Sequence, residues 1–286
     1  MKVVKFILGF LAVMLFAVGV FAYVTISKGA EKAARTFSMD YDDAMILHDE
    51  EAIEIGRYLA ETHGCSDCHG GNFAGQVMAD APPFLLVSSN LTTGEGGVGS
   101  EFSDADWLRA IRHGVGSDGR GLFIMPSEAY YNFSDEEIGA LIGYLQQVEA
   151  VDNVLPPVTV RTLGKLIMGM GDDLRTAAEM IPDNPRPPMP ARGPTAQWGK
   201  YRAAVLCTVC HGPDLAGAQA PDPDSPFAPN LQVVGGWGLD GFVRAMREGT
   251  TPAGQQLDSE YMPWNEIGRM PDTDLEGIYR HLESLN

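Results

Sequence analysis

Two pentapeptides carry the chemistry available to this sequence: Cys65-Ser-Asp-Cys68-His69 and Cys207-Thr-Val-Cys210-His211, which between them use all four cysteines. Paired thiols at this spacing can close disulfides, form zinc half-sites or serve as thioether anchors. The histidine directly after each second thiol separates these readings. Two thiols three apart on a turn reach the two vinyl groups of one porphyrin, and the next residue then lies under the iron as a proximal ligand. With six histidines in 286 residues, that placement by accident has a chance of about one in fifty per motif, and it occurs twice. A thioredoxin-like redox site needs a βαβ setting, which the sequence does not offer. The expectation is two covalently bound haem c groups, attached outside the cytoplasmic membrane.

The two motifs belong to one unit written twice. Residues 53–77 and 196–219 share Gly, a basic residue, Tyr, the Cys-x-x-Cys-His-Gly run and an Ala-Gly pair. Asn90-Leu91 echoes Asn230-Leu231, LRAIRHG from Leu108 echoes VRAMREG from Val243, and Met125-Pro126 echoes Met262-Pro263. The repeat then selects a sixth iron ligand. Met246 corresponds to Ile111 and Met270 to Phe133, which marks both as apolar packing positions, whereas Met125 and Met262 are methionine in both copies. Each lies late in a loop stiffened by the following proline, so it can approach the iron from the side away from the histidine. The alternative is a methionine that only packs on the porphyrin.

These residues must be positioned by helices. Ile138, Leu141, Ile142 and Leu145 fall at i, i+3, i+4 and i+7, and Leu275, Ile278, Tyr279 and Leu282 repeat the stripe. Ser134 or Asp135 caps the first of these helices, with Glu137 placed as a capping-box partner if Ser134 is the cap. No segment alternates with period two for long enough to suggest a sheet, so the expected class is all-α with long Gly- and Pro-rich loops. The expected organisation is an N-terminal membrane anchor or signal peptide (1–27), a membrane-proximal segment (28–47), a first haem domain (48–150), a linker (151–195) and a second haem domain (196–286). The linker's Pro-rich end cannot continue a helix, although Leu163 to Met180 can form a short one packed on either domain.

From Phe6 to Ile26 the chain carries no charge, about 21 residues, which at helical rise crosses a hydrocarbon layer. A cleaved secretory peptide is the alternative, with Val20-Phe21-Ala22 offering small residues at cleavage positions. The formal charge of -18 excludes a general affinity for nucleic acid and favours a basic docking partner. Among other residues, His113 and His281 have no histidine counterpart in the other copy and read as surface or packing residues. Arg109, Arg112, Arg244 and Arg247 either neutralise haem propionates or form a solvated face, which their three-residue spacing favours. Tyr58, Tyr201, Trp107, Trp237 and Trp264 are expected to wall the porphyrin.

Both halves resemble class I cytochrome c domains. Residues 50–286 are similar to the cytochrome c subunits of membrane-bound alcohol and gluconate-type dehydrogenases, on GRYLAETHGCSDCHGG, SSNLTTGEGGVG, DWLRAIRHGV, the Met-Pro loop and PPVTVRTLGKL. The resemblance implies that Cys65, Cys68, His69 and Met125 serve one haem, and Cys207, Cys210, His211 and Met262 the other, with His69, Met125, His211 and Met262 as iron ligands. With the apolar run as an anchor and both irons filled by histidine and thioether, the expectation is a single-pass, non-catalytic electron carrier on the periplasmic side of the cytoplasmic membrane. Its donor would be a membrane dehydrogenase or quinol-oxidising complex and its acceptor an oxidase or soluble cytochrome. A dihaem peroxidase-like enzyme, with one displaceable iron ligand, is the competing reading.

Overall fold

A computed structural model describes residues 2–38, 44–172, 174–181, 185–219 and 225–285. Residues 39–43 of the expected membrane-proximal segment and residues 173 and 182–184 of the expected linker lie outside the described residues. The chain opens with α1 (Lys2–Ala33), which is apolar on all sides and exposed along nearly its whole length. A helix of that kind has no core of its own to enter, and it is long and apolar enough to cross a membrane.

The first Cys-x-x-Cys-His run sits in a set of helices made of α2 (Glu50–Thr62), α3 (Cys65–His69), α4 (Asp104–His113), α5 (Ser127–Tyr130) and α6 (Asp135–Leu145). The reasons for these helices are local. Asp49 accepts from the Ala52 N–H at the start of α2, with Glu50 and Glu51 completing a first turn that suits the helix dipole. Ser103 and Asp106 form a reciprocal capping box on α4. After α7 (Thr162–Met170), the chain repeats the arrangement with α8 (Ala196–Leu206), α9 (Thr208–His211), α10 (Leu239–Glu248), α11 (Trp264–Ile267) and α12 (Asp272–Glu283). In each set the first and last long helices cross where a side chain would not fit. A Cβ on Gly56 would lie 2.1 Å from the Ala140 carbonyl oxygen, and one on Gly199 would lie 1.8 Å from that of Gly277.

Two apolar clusters result, one around Leu59, Trp107, Phe133, Ile138 and Leu141, the other around Phe242, Met246, Met270, Leu275 and Ile278. Ile111 and Met246 are both core, as are Phe133 and Met270, so each pair is apolar and buried in both sets. The corresponding arginines also do the same work in both sets. Arg112, fully buried, donates to the Phe133 and Ser134 carbonyls and pairs with Asp135. Arg247 donates to the Met270 carbonyl and pairs with Asp272. The expectation of a solvated arginine face therefore fails for Arg112, while Arg247 stays exposed; in both sets the loop before the final helix offers carbonyls that a guanidinium can bind together.

The all-α expectation needs correction. Strands β1 (Gln76–Asp80) and β2 (Phe84–Ser88) form an antiparallel hairpin, joined on its far edge by β3 (Thr159–Val160), and β4 (Ala218–Gln219) pairs with β5 (Phe227–Ala228). Ala81 and Phe84 exchange both backbone hydrogen bonds across Pro82-Pro83, which closes the hairpin. These strands are short and β1 is mostly exposed, so no apolar alternation announces them. The short helix expected within 163–180 is α7, and it packs on α1 as well as on the β1–β3 sheet.

Candidate functional site

The two Cys-x-x-Cys-His runs occupy matched turns. In the first, α3 carries Cys65, Cys68 and His69; in the second, Cys207 caps α9, which carries Cys210 and His211. Just downstream, Phe73 and Leu215 hold φ +58, the two non-glycine residues with positive φ among the described residues. Strain of that kind persists only where the surroundings over-determine the backbone. In both copies the next loop docks back on this residue: the Leu91 N–H donates to the Phe73 carbonyl and the Leu231 N–H to the Leu215 carbonyl.

That docking sets the histidines. His69 Nδ1 lies 2.8 Å from the Ser89 carbonyl oxygen, and His211 Nδ1 lies 2.7 Å from that of Pro229. A carbonyl only accepts, so Nδ1 carries the proton in each ring and Nε2 is left with its lone pair. Burial lowers both imidazoles below their usual range, which keeps them neutral and fit to ligate a metal. The residue before Asn90 and before Asn230 supplies the carbonyl. The repeated Asn-Leu pair was the signal for this element, but nothing in its residue types named a backbone acceptor.

All four thiols are free, and burial pushes those of Cys65 and Cys207 up to about 12. Thiols of that kind are protonated and poor nucleophiles. Among the described residues no group of three or more His, Cys, Asp or Glu side chains is placed to hold a metal ion.

One cavity gathers the first set. Cys65, Cys68, His69 and Met125 line it together, with walls that include Trp107, Ile111 and Leu141. Apart from these four residues its lining is largely apolar, which suits the face of a flat macrocycle better than a hydrated ion. Trp107 Nε1 is buried without an acceptor, and it lines the same cavity. A porphyrin with carboxylate substituents fits this donor set: paired thiols, a neutral imidazole, a thioether, an apolar wall and an orphaned N–H. In the second set, Cys207 and Met262 pack against the second apolar cluster, His211 is buried and Cys210 half-buried.

Tyr58 and Tyr201, expected to wall the porphyrin, are elsewhere. The Tyr58 hydroxyl donates to Asp274, which also accepts from Trp198 Nε1 at 2.8 Å and pairs with Arg192 at 3.3 Å. The Tyr201 hydroxyl donates to Glu137 and accepts from the Ser134 N–H at 2.9 Å. Ser134 is the cap of α6, as its side chain accepts from the Glu137 N–H, but Glu137 does not close a capping box. Its carboxylate instead pairs with Arg202, so α6 and α8 are joined by an ion pair that is 5% and 2% exposed. The tyrosines thus belong to a polar network between the two helix sets.

Comparison with known proteins accords with this geometry. Residues 53–149 match the family model for cytochrome c. A nicotinate dehydrogenase subunit of Pseudomonas putida is 29% identical over 82% of this chain and 21% of its own length. The fructose dehydrogenase cytochrome subunit of Gluconobacter japonicus is 26% identical over 82% of this chain and 52% of its own. The gluconate 2-dehydrogenase cytochrome c subunit of Pantoea cypripedii is 28% identical over 84% of this chain and 62% of its own. The chain thus spans from a fifth to about three fifths of the length of these relatives. Residues 53–149 form a cytochrome c domain, of the kind that carries haem c covalently, in a chain similar along most of its length to the cytochrome c subunits of dehydrogenases.

Proposed function

We propose that this chain is a membrane-anchored dihaem cytochrome c, an electron-transfer subunit rather than a catalyst. In this reading residues 48–150 and 196–286 are the two haem domains, α1 is the anchor, and both domains lie on the periplasmic side. Cys65 and Cys68 hold one haem and Cys207 and Cys210 the other. His69 and Met125 would hold the first iron, and His211 and Met262 the second. When bound, each haem supplies a one-electron couple. The protein's part is to fix each imidazole tautomer through the Ser89 and Pro229 carbonyls, to keep water from the apolar cavity, and to fill the sixth position with a thioether.

The observation that carries the reading is the duplicated backbone-carbonyl lock on the histidine Nδ1, which in each copy leaves Nε2 free to hold a metal. The relatives' names support a dehydrogenase as the donor, membrane-bound in this reading; a quinol-oxidising complex is the other candidate, and an oxidase or soluble cytochrome the acceptor. The test is optical and magnetic circular dichroism spectroscopy of the purified protein, with Met125→Ala and Met262→Ala. Each substitution is expected to remove one of two methionine-to-iron charge-transfer bands and leave the other. Carbon monoxide binding to a ferrous haem of the unmodified protein without denaturant would overturn the carrier reading in favour of a peroxidase-like enzyme.

A further inference from the structure

The helix in the linker, α7, has three faces, and the structure accounts for two of them. One face lies on the small sheet: a Cβ on Gly164 would meet the Pro83 carbonyl oxygen at 2.3 Å and the Phe84 ring at 2.8 Å. A second face is pressed against α1. A Cβ on Gly29 would lie 1.7 Å from the Lys165 carbonyl oxygen, and one on Gly169 would lie 1.9 Å from that of Thr25. Two helices approach this closely only where both present small residues, as they do in membrane-embedded pairs. Lys32 Nζ adds hydrogen bonds to the Gly171 carbonyl and to Asp172 at the end of α7, 2.7 and 2.5 Å long.

The third face is apolar and exposed. Leu163, Ile167 and Met170 fall at i, i+4 and i+7 on one stripe, and are 45%, 43% and 68% exposed. A water-facing stripe would normally be polar here.

Its position along α1 says what covers it. The contact with α7 includes Thr25, near the end of the uncharged run Phe6 to Ile26, where a span of about 21 residues has used up a hydrocarbon layer of about 30 Å. The stripe is therefore near the outer boundary of that layer, where α1 itself exposes Phe21, Tyr23 and Val24. Basic residues are gathered at this level: Lys28 and Lys32 of α1 and Arg35 just after it, with Arg161 and Lys165, although Lys32 pairs with Asp172, Arg35 with Glu179 and Arg161 with Asp80. Basic residues flanking an apolar stripe are the composition of a helix seated at a lipid headgroup boundary.

We propose that α7 is a second membrane contact: it beds Leu163, Ile167 and Met170 into the outer leaflet beside α1, and so holds the first haem domain at a fixed height above the bilayer. The proposal rests on the reading of α1 as an anchor. It identifies the occupant as lipid, and not as the surface of a partner subunit.

The test uses the full haem-loaded chain in vesicles of phosphatidylcholine with a fraction of phosphatidylglycerol. A nitroxide is attached in turn at Ile167→Cys, Met170→Cys, Leu11→Cys and Glu248→Cys, with the haem spectrum as the check of folding. Power saturation then compares access by oxygen, which concentrates in hydrocarbon, with access by a neutral nickel complex, which stays in water. The expected result is a shift of the access ratio towards oxygen at 167 and 170, smaller than at 11 and opposite to 248. Water-like access at 167 and 170, with hydrocarbon-like access at 11, overturns the proposal while α1 remains an anchor. Water-like access at all four positions removes the anchor reading, and this proposal with it. Immobilisation at 167 that appears only when a dehydrogenase partner is added assigns the stripe to protein and also overturns the proposal.

Discussion

Removing the Arg202 charge is the sharpest perturbation of the contact between the two helix sets. In Arg202→Met the length of the side chain is largely kept, but Glu137 is left as a carboxylate at 5% exposure, with the Tyr201 hydroxyl as its remaining side-chain partner. Leaving one member of a buried pair costs about 3–5 kcal/mol, far more than a surface bridge would. Loss of the guanidinium over Trp198, 4.3 Å from its ring centroid, adds to this. In guanidinium unfolding of the detergent-solubilised protein that cost lowers the midpoint by roughly 1 M. Because the pair joins α6 to α8, the Soret and tryptophan signals of the two halves are also expected to lose coincidence. Adding Glu137→Gln should restore most of the loss, since a neutral amide still accepts from Tyr201, giving a coupling of at least about 1 kcal/mol. A midpoint unchanged by Arg202→Met, or a double variant no better than the single one, refutes the assignment of this pair as a structural link.

Three further perturbations have definite expected outcomes. His63 is buried, and that burial, helped by the nearby Arg202 charge, holds its imidazole well below the usual range. The unfolded chain then binds a proton near pH 6.5 that the folded chain does not, so stability falls as pH drops below that value, by up to about 1.4 kcal/mol per unit; His63→Gln should flatten that slope in urea titrations at pH 5 to 7. Gly199→Ala drives a Cβ into the Gly277 backbone. It should cost at least about 1–3 kcal/mol by thermal unfolding, where an ordinary glycine-to-alanine change in a helix stabilises. The acidic balance of 38 Asp and Glu against 20 Lys and Arg predicts that electron transfer to a basic acceptor slows as salt rises, measured by stopped flow from low to physiological ionic strength.

The sequence showed most where two copies could be compared. Aligning Phe133 with Met270 and Ile111 with Met246 identified core positions, because a residue that changes type between copies while staying apolar is packing. The helices of 134–145 and 271–282 were legible from their stripes. What escaped was of two kinds. Backbone acceptors such as the Ser89 and Pro229 carbonyls have no residue type to announce them, although they set the histidine tautomers. Contacts across 60 or more residues, such as Glu137 with Arg202, looked like local capping because the local partner was chemically adequate and only the fold showed a better one. The hairpin of 76–88 was invisible because its exposed strand carries no alternation.

The central claim is that this one chain carries two covalently attached haems. Intact-mass measurement of the full protein purified from its native membrane tests it directly. The expected mass is the polypeptide plus two haem groups, falling to one in either Cys65→Ala/Cys68→Ala or Cys207→Ala/Cys210→Ala. A native mass with one haem or none contradicts it.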